Sequence, residues 1–238
     1  EALLIGTQQE IDIGRGVARD LEKKYGLVND PELQARIARI GASIAAVADR
    51  KDLSYSFKVL NSKEVNAMAV PGGFIYVFKG LTDYMPSDHE IAGILGHEVG
   101  HIVKRHTVVQ IERSLAVGVL FTILFGSSSS AIIGELMANA LMAGYSREAE
   151  READYLGVVH TMRAGYNPYS MLIGMEKLEA LSKKADYGLF SSHPDSANRV
   201  KAVREQITGE YKVRPVVKEA EKYAQVTDGP WSLPSFYS

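Results

Sequence analysis

The stretch Gly93-Ile94-Leu95-Gly96-His97-Glu98-Val99-Gly100-His101 constrains this chain more than any other. On an α-helix, residues four apart lie about 40° from one another, so His97 and His101 project from one face. Two imidazoles one turn apart can reach a single ion, which is the geometry of the H-E-x-x-H zinc motif. Glu98 stands about 100° round from His97, placed to meet a metal-bound water rather than the metal. The same helix carries Gly93, Gly96 and Gly100 in a stripe beside the histidine face. Each glycine costs about 1 kcal/mol relative to Ala in a helix interior, so the stripe predicts a second element packed very close. Two histidines on a helix also arise by accident. A third ligand decides between the readings.

The chain has no cysteine. That removes any disulfide framework and any thiolate site, and leaves a carboxylate or another histidine as the third ligand. A helix predicted from Ser146 to about Ala164 offers Glu150 and Asp154, four apart on one face. The small residues Ala153 and Gly157 beside them would let it approach the glycine stripe. Glu150 is the candidate ligand, and Asp154 the candidate partner that orients a ligating histidine through its ring N–H. Glu148 and Glu152 point to the other side and read as solvated. Zinc lowers the pKa of its water to about 7; Glu98 would take that proton and pass it to a leaving amine. His193 and Arg199, in and just after a late loop, are candidate donors to the oxyanion that forms. His193 precedes Pro194 and is therefore extended, which suits a capping or packing residue equally well. His89 and His160 lack a motif and read as surface or capping residues. Lys104, Arg105 and His106 read as cations suited to the helix C-terminus.

The remaining chain sets the frame. With 238 residues and a net charge of −2, it is one large domain or one domain with appendages. No basic patch stands out, so nucleic acid is not expected as a partner. Helices are predicted over Thr7–Tyr25 and Asp30–Ala48, and strands over Ser54–Leu60, Glu64–Val70 and Phe74–Phe78, with Pro71-Gly72-Gly73 as a turn. A strand just before the histidine helix could pair an extended peptide along a free edge, or be ordinary sheet. Ser87 and Glu90 have capping-box spacing. The apolar run Leu115–Phe125 is shorter than the about 17–25 residues that span a bilayer. With the serine run 127–130 and Ala131–Ala143 it forms a helical hairpin: core, a lid, or a peripheral membrane contact. Further helices are expected over Pro168–Lys184, from Ser196 to Ile207, and near Val217–Ala224. The start at Glu1, without initiator Met or signal-like segment, suggests a processed or trimmed product.

Three blocks resemble one family: His97-Glu98-Val99-Gly100-His101, Ser146-Arg147 through Glu150 to Asp154, and His193-Pro194. The chain is similar from Ser54 to Arg204 to the zinc metallopeptidases that include HtpX, BepA, Oma-type proteases and the CAAX prenyl proteases. The resemblance implies an α+β, mostly helical, zincin-like fold with a small three-stranded sheet beside the H-E-x-x-H helix. It implies one Zn2+ held by His97, His101 and Glu150, with Glu98 as base and Asp154 behind a ligand. Asn66, Ala67 and Met68 look like the family's substrate-side strand. In relatives the histidine matching His193 lies near the zinc, where it contacts substrate or occupies the open position. Expected domains are an N-terminal helical segment (1–50), a catalytic core (51–208) and a tail (209–238). The expected function is a zinc endopeptidase acting on unfolded or misassembled polypeptides, in a bacterial periplasm or cell envelope, or otherwise in the cytoplasm. The alternative is a zinc-containing chaperone-like or binding module with a self-blocked site.

Overall fold

The computed structural model describes residues 3–114, 144–182, 193 and 196–210. The run Leu115–Phe125, the serine linker, Ala131–Ala143, Pro194, Asp195 and the tail from 211 lie outside the described residues. Two helices lead, α1 (Thr7–Tyr25) and α2 (Pro31–Val47), followed by strands β1 (Ser56–Leu60), β2 (Ala67–Val70) and β3 (Phe74–Phe78). Then come α3 (Lys79–Tyr84), α4 (Asp88–Val103), α5 (His106–Ser114), α6 (Arg147–Arg163), α7 (Pro168–Ser182) and α8 (Ser196–Glu205). The architecture is α+β and mostly helical, with one small sheet. Where α2 begins, Asp30 accepts from Leu33 N at 3.0 Å, with Pro31 at the first helical position, a pairing that satisfies an otherwise orphaned donor.

The α4 helix is the centre. Every residue from His89 to Ile102 is buried, whereas a surface helix keeps one wet face. Ile37, Ile40 and Ile44 of α2 share a core cluster with Ile91, Leu95 and Val99 of α4. The glycine stripe meets α6 and α7. A Cβ on Gly93 would lie 2.7 Å from Met171 Cα, on Gly96 2.9 Å from Gly157 O, and on Gly100 3.0 Å from Ala153 O. Backbone meets backbone along this seam, and it brings the face of Glu150 and Asp154 against that of the histidines.

The sheet has order β1-β3-β2, with β3 parallel to β1 and antiparallel to β2. Both faces are covered. Phe57, Val59, Ala67, Ala69, Ile75 and Val77 pack toward α2 and α4, while Leu60, Val70, Tyr76 and Phe78 join Val17 of α1 with Val108 and Ile111 of α5. The strand just before α4 therefore has no free edge, because β3 is central; the expected edge belongs to β2 instead. Phe78 N donates to Asn66 O at 2.9 Å. Antiparallel alternation then turns the peptide groups of Ala67 and Ala69 away from β3. Asn66 Oδ1 accepts from the Ala67 N–H at 2.9 Å. Among the described residues no strand pairs with this outer edge.

The start and end of α4 differ from expectation. Ser87 is the N-cap but makes no side-chain cap bond, and Glu90 is buried in an ion pair with Lys177 at 2.5 Å rather than closing a capping box. The helix stops at Val103, and Arg105 adopts φ 56°, a left-handed conformation uncommon outside glycine. His106 therefore opens α5 rather than trailing off α4. A buried carboxylate anchors this corner: Glu10 meets Arg50 through two contacts of 2.8 Å, Arg105 at 3.0 Å and Gly72 N at 3.3 Å.

Candidate metal centre

Helical spacing places His97 and His101 on one face of α4, and the glycine seam presents Glu150 of α6 to them. The two Nε2 atoms are 3.0 Å apart. His193 Nδ1 lies 3.3 Å from His97 Nε2 and 2.8 Å from Glu150 Oε1. Glu150 oxygens stand 3.7 Å from His97 Nε2 and 3.6 Å from His101 Nε2. One ligand atom from each of His97, His101, Glu150 and His193 falls within 4.8 Å of the others, and all four residues are buried.

This donor set fits a divalent cation. Asp154 Oδ1 lies 2.8 Å from His97 Nδ1, which favours a proton on Nδ1 and leaves Nε2 as a lone pair. With His101 also protonated on Nδ1, the two Nε2 lone pairs would confront each other at 3.0 Å, an arrangement that a shared cation relieves. Imidazole and carboxylate donors without thiolate suit zinc. Beside them, Glu98 is fully buried and neither oxygen has a hydrogen-bond partner among the described residues. A buried carboxylate without a donor is costly; His193 Nε2, at 3.6 Å, is the charge partner at hand.

The flanking groups set the charge. Arg199 donates to both Asp154 oxygens at 2.7 Å, contacts Glu150 Oε2 at 2.7 Å and reaches the His193 carbonyl at 3.2 Å. Burial pushes the Asp154 carboxyl upward, but Arg199 outweighs it and holds the group at about 2. Burial likewise opposes ionisation of Glu150, yet His193, His97 and Arg199 draw its pKa below the usual carboxylate range. For His101, burial and then the neighbouring histidines drive protonation well below neutral. Burial also disfavours charge on His193, but Glu150 and Glu98 overcome it and the net shift is upward.

The structure thus brings His97, His101, Glu98, Glu150, Asp154, His193 and Arg199 into one buried cluster. Asn66, Ala67 and Met68 lie apart from it, on and just before β2, which packs against α4. His89 and His160 are buried, not on the surface. His160 Nδ1 is 3.1 Å from Gly96 O, and His89 Nδ1 accepts from Asn167 N at 3.1 Å. Sequence reasoning missed two contacts of His101. The Tyr145 ring stacks on it with centroids 3.8 Å apart, and His106 Nδ1 lies 3.0 Å from His101 Nδ1. The one signal available for His106 was chemical: a ligating histidine needs a partner for its other nitrogen, and none had been assigned to His101. Glu152, read as solvated, is half exposed but engages His106 at 2.9 Å and Lys104 at 3.6 Å.

No helix among the described residues is long and apolar enough to cross a membrane. Residues 31–207 match Peptidase family M48. The mitochondrial metalloendopeptidase OMA1 of Arabidopsis thaliana is 33% identical over 179 residues, covering 75% of this chain and 37% of that protein. The metalloprotease YcaL of Escherichia coli is 30% identical over 204 residues, covering 83% of this chain and 76% of YcaL. The beta-barrel assembly-enhancing protease of Escherichia coli is 27% identical over 228 residues, covering 90% of this chain and 46% of that protein. The chain therefore spans three quarters of YcaL but less than half of the other two. With the family match running through the sheet, the histidine helix and the carboxylates of α6, the chain belongs to Peptidase family M48.

Proposed function

We propose that this chain is a zinc-dependent endopeptidase that hydrolyses peptide bonds. The observation that carries the reading is the buried convergence of His97, His101 and Glu150 with a buried Glu98 carboxylate beside them that has no hydrogen-bond partner among the described residues. His97, His101 and Glu150 would hold the ion, and Asp154, locked by Arg199, fixes the His97 ring. Bound zinc supplies a Lewis acid and lowers the pKa of water to about 7. Glu98 accepts the proton of the attacking water and delivers it to the leaving amine. Arg199 acts through Asp154 and Glu150: its contacts run to them and to a backbone carbonyl, so it positions the site rather than facing an oxyanion.

The Glu98→Gln variant should lose cleavage of an unfolded protein by at least about 100-fold, in the range of a lost general base, while retaining zinc by metal analysis. Unchanged cleavage would overturn the mechanism. His193 has its ring inside the donor set, so this arrangement is closed, and substrate enters when that ring withdraws. His193→Ala should then raise cleavage. A fall would assign His193 to substrate instead, and zinc without turnover in either form would favour a binding module over a peptidase.

The substrates we infer are unfolded or misassembled polypeptides, laid in extended form along β2 at Asn66, Ala67 and Met68, where the C=O of Ala67 and the peptide groups of Ala69 face away from β3. Likeness to a protease named for assembly of β-barrels, an outer-membrane architecture, supports a place in the bacterial periplasm or envelope.

A further inference from the structure

The two histidines of α4 are backed in different ways. His97 has Asp154, an anion buried with Arg199. His101 has a second histidine. Its Nδ1 lies 3.0 Å from His106 Nδ1, and the far nitrogen of His106, Nε2, lies 2.9 Å from Glu152 Oε2. Donor and acceptor roles along this chain follow from its end. A carboxylate only accepts, so His106 Nε2 carries a proton that it donates to Glu152. With the single ring proton of a neutral imidazole on Nε2, His106 Nδ1 is bare and accepts from His101 Nδ1–H across the 3.0 Å contact. His101 Nε2 is left with its lone pair aimed at the donor cluster. Tyr145, stacked on the opposite ring and tied to Thr107 by a 3.1 Å bond, holds the His101 plane.

We propose that His106 is a positioning residue of the metal centre: with Glu152 it sets the tautomer and orientation of His101. The inference rests on the metal-binding reading above. The turn that makes it possible is local. Because α4 ends at Val103 and Arg105 takes a left-handed conformation, α5 starts with His106 folded back beneath His101. The far end of the chain is wet: Glu152 and His106 line a cleft of about 440 Å³ together with Lys104, Gln110, Arg113 and Tyr145. Among the described residues, the His97 arm ends in buried Asp154 and Arg199, and the His101 arm ends in the half-exposed Glu152.

The test is zinc affinity, measured by competition with a chromogenic chelator, together with the visible spectrum of the cobalt-substituted protein. His106→Phe keeps a ring but loses the acceptor, and should weaken zinc about 10–100-fold, the range for lost partners of ligating histidines. His106→Asn places an amide oxygen near the Nδ1 position and should recover much of that loss and the native cobalt spectrum. Equal affinity of native and His106→Phe, or an Asn variant no better than the Phe variant, would overturn the inference alone. If the native chain binds no zinc, the metal reading falls and the inference with it. Should His106→Phe fail to fold, Glu152 serves, since its side chain is 52% exposed. Glu152→Ala should weaken zinc while Glu152→Gln, still an acceptor, should not, and identical affinities across that pair would also overturn it.

Discussion

At the scale of single residues, Arg199 governs the charge of the site. Its guanidinium joins Asp154, Glu150 and the carbonyl of His193. Removing it leaves two buried carboxylates without their cation, so Arg199→Leu should cost about 3–5 kcal/mol, read by denaturant unfolding of the metal-free protein. Arg199→Lys should recover little, because an ammonium lacks the planar fork. The pH dependence follows from Asp154, whose carboxyl is held at about 2 against an ordinary 3.8. Since the folded pKa is the lower one, this stabilisation is complete above pH 3.8 and drains away as pH falls toward 2. In Arg199→Leu the acid-unfolding midpoint, followed by circular dichroism, should move to higher pH. Glu150 and Asp154 could be found in the sequence because their spacing repeats that of the histidines and small residues flank them. His106 could not. Its role depends on a chain reversal at Arg105, and a helix read as continuous makes the same histidine an ordinary C-terminal cation.

At the scale of elements, the seam of α4 against α6 and α7 decides whether the site assembles. Gly93→Ala would drive a Cβ to 2.7 Å from Met171 Cα, backbone that cannot rotate aside. About 1–3 kcal/mol of destabilisation is expected from such overpacking, visible as a lowered midpoint in denaturant. Gly16, within α1, has nothing within 4 Å of its Cβ position, so Gly16→Ala should instead stabilise by up to about 1 kcal/mol. The contrast separates a helix glycine that permits contact from one that only adds chain freedom. This seam was legible, since three glycines in a helix bearing ligands call for a close neighbour. The sheet was less so. Its strands are buried on both faces, so only partial alternation shows, and their order arises from pairings between β1 and β3 that no local pattern encodes. The short helix α3 and the start of α5 are not legible for a related reason: α3 follows directly on β3, and only Lys104 and Arg105, neither a turn-forming residue type, separate α5 from α4.

At the scale of the molecule, one buried carboxylate joins four segments that lie far apart in the sequence. Glu10 of α1 reaches Arg50 after α2, Gly72 in the β2–β3 turn and Arg105 after α4, and Arg50 in turn donates to Ile102 O at 3.1 Å. Such long-range pairing has no sequence signature. Glu10→Gln should destabilise by up to about 3–5 kcal/mol, because it removes the buried countercharge of Arg50 and leaves it only the half-exposed Asp52 at 3.2 Å; an unchanged unfolding midpoint would show the cluster to be incidental. The tie also fixes where β2 sits, since Gly72 is its exit, and β2 carries the outward peptide groups of Ala67 and Ala69. An open strand edge can pair with a sister chain as readily as with any extended peptide, because backbone pairing does not read identity. Four residues of strand, with one outward donor already satisfied by Asn66, keep that edge short, which limits pairing between copies of the chain.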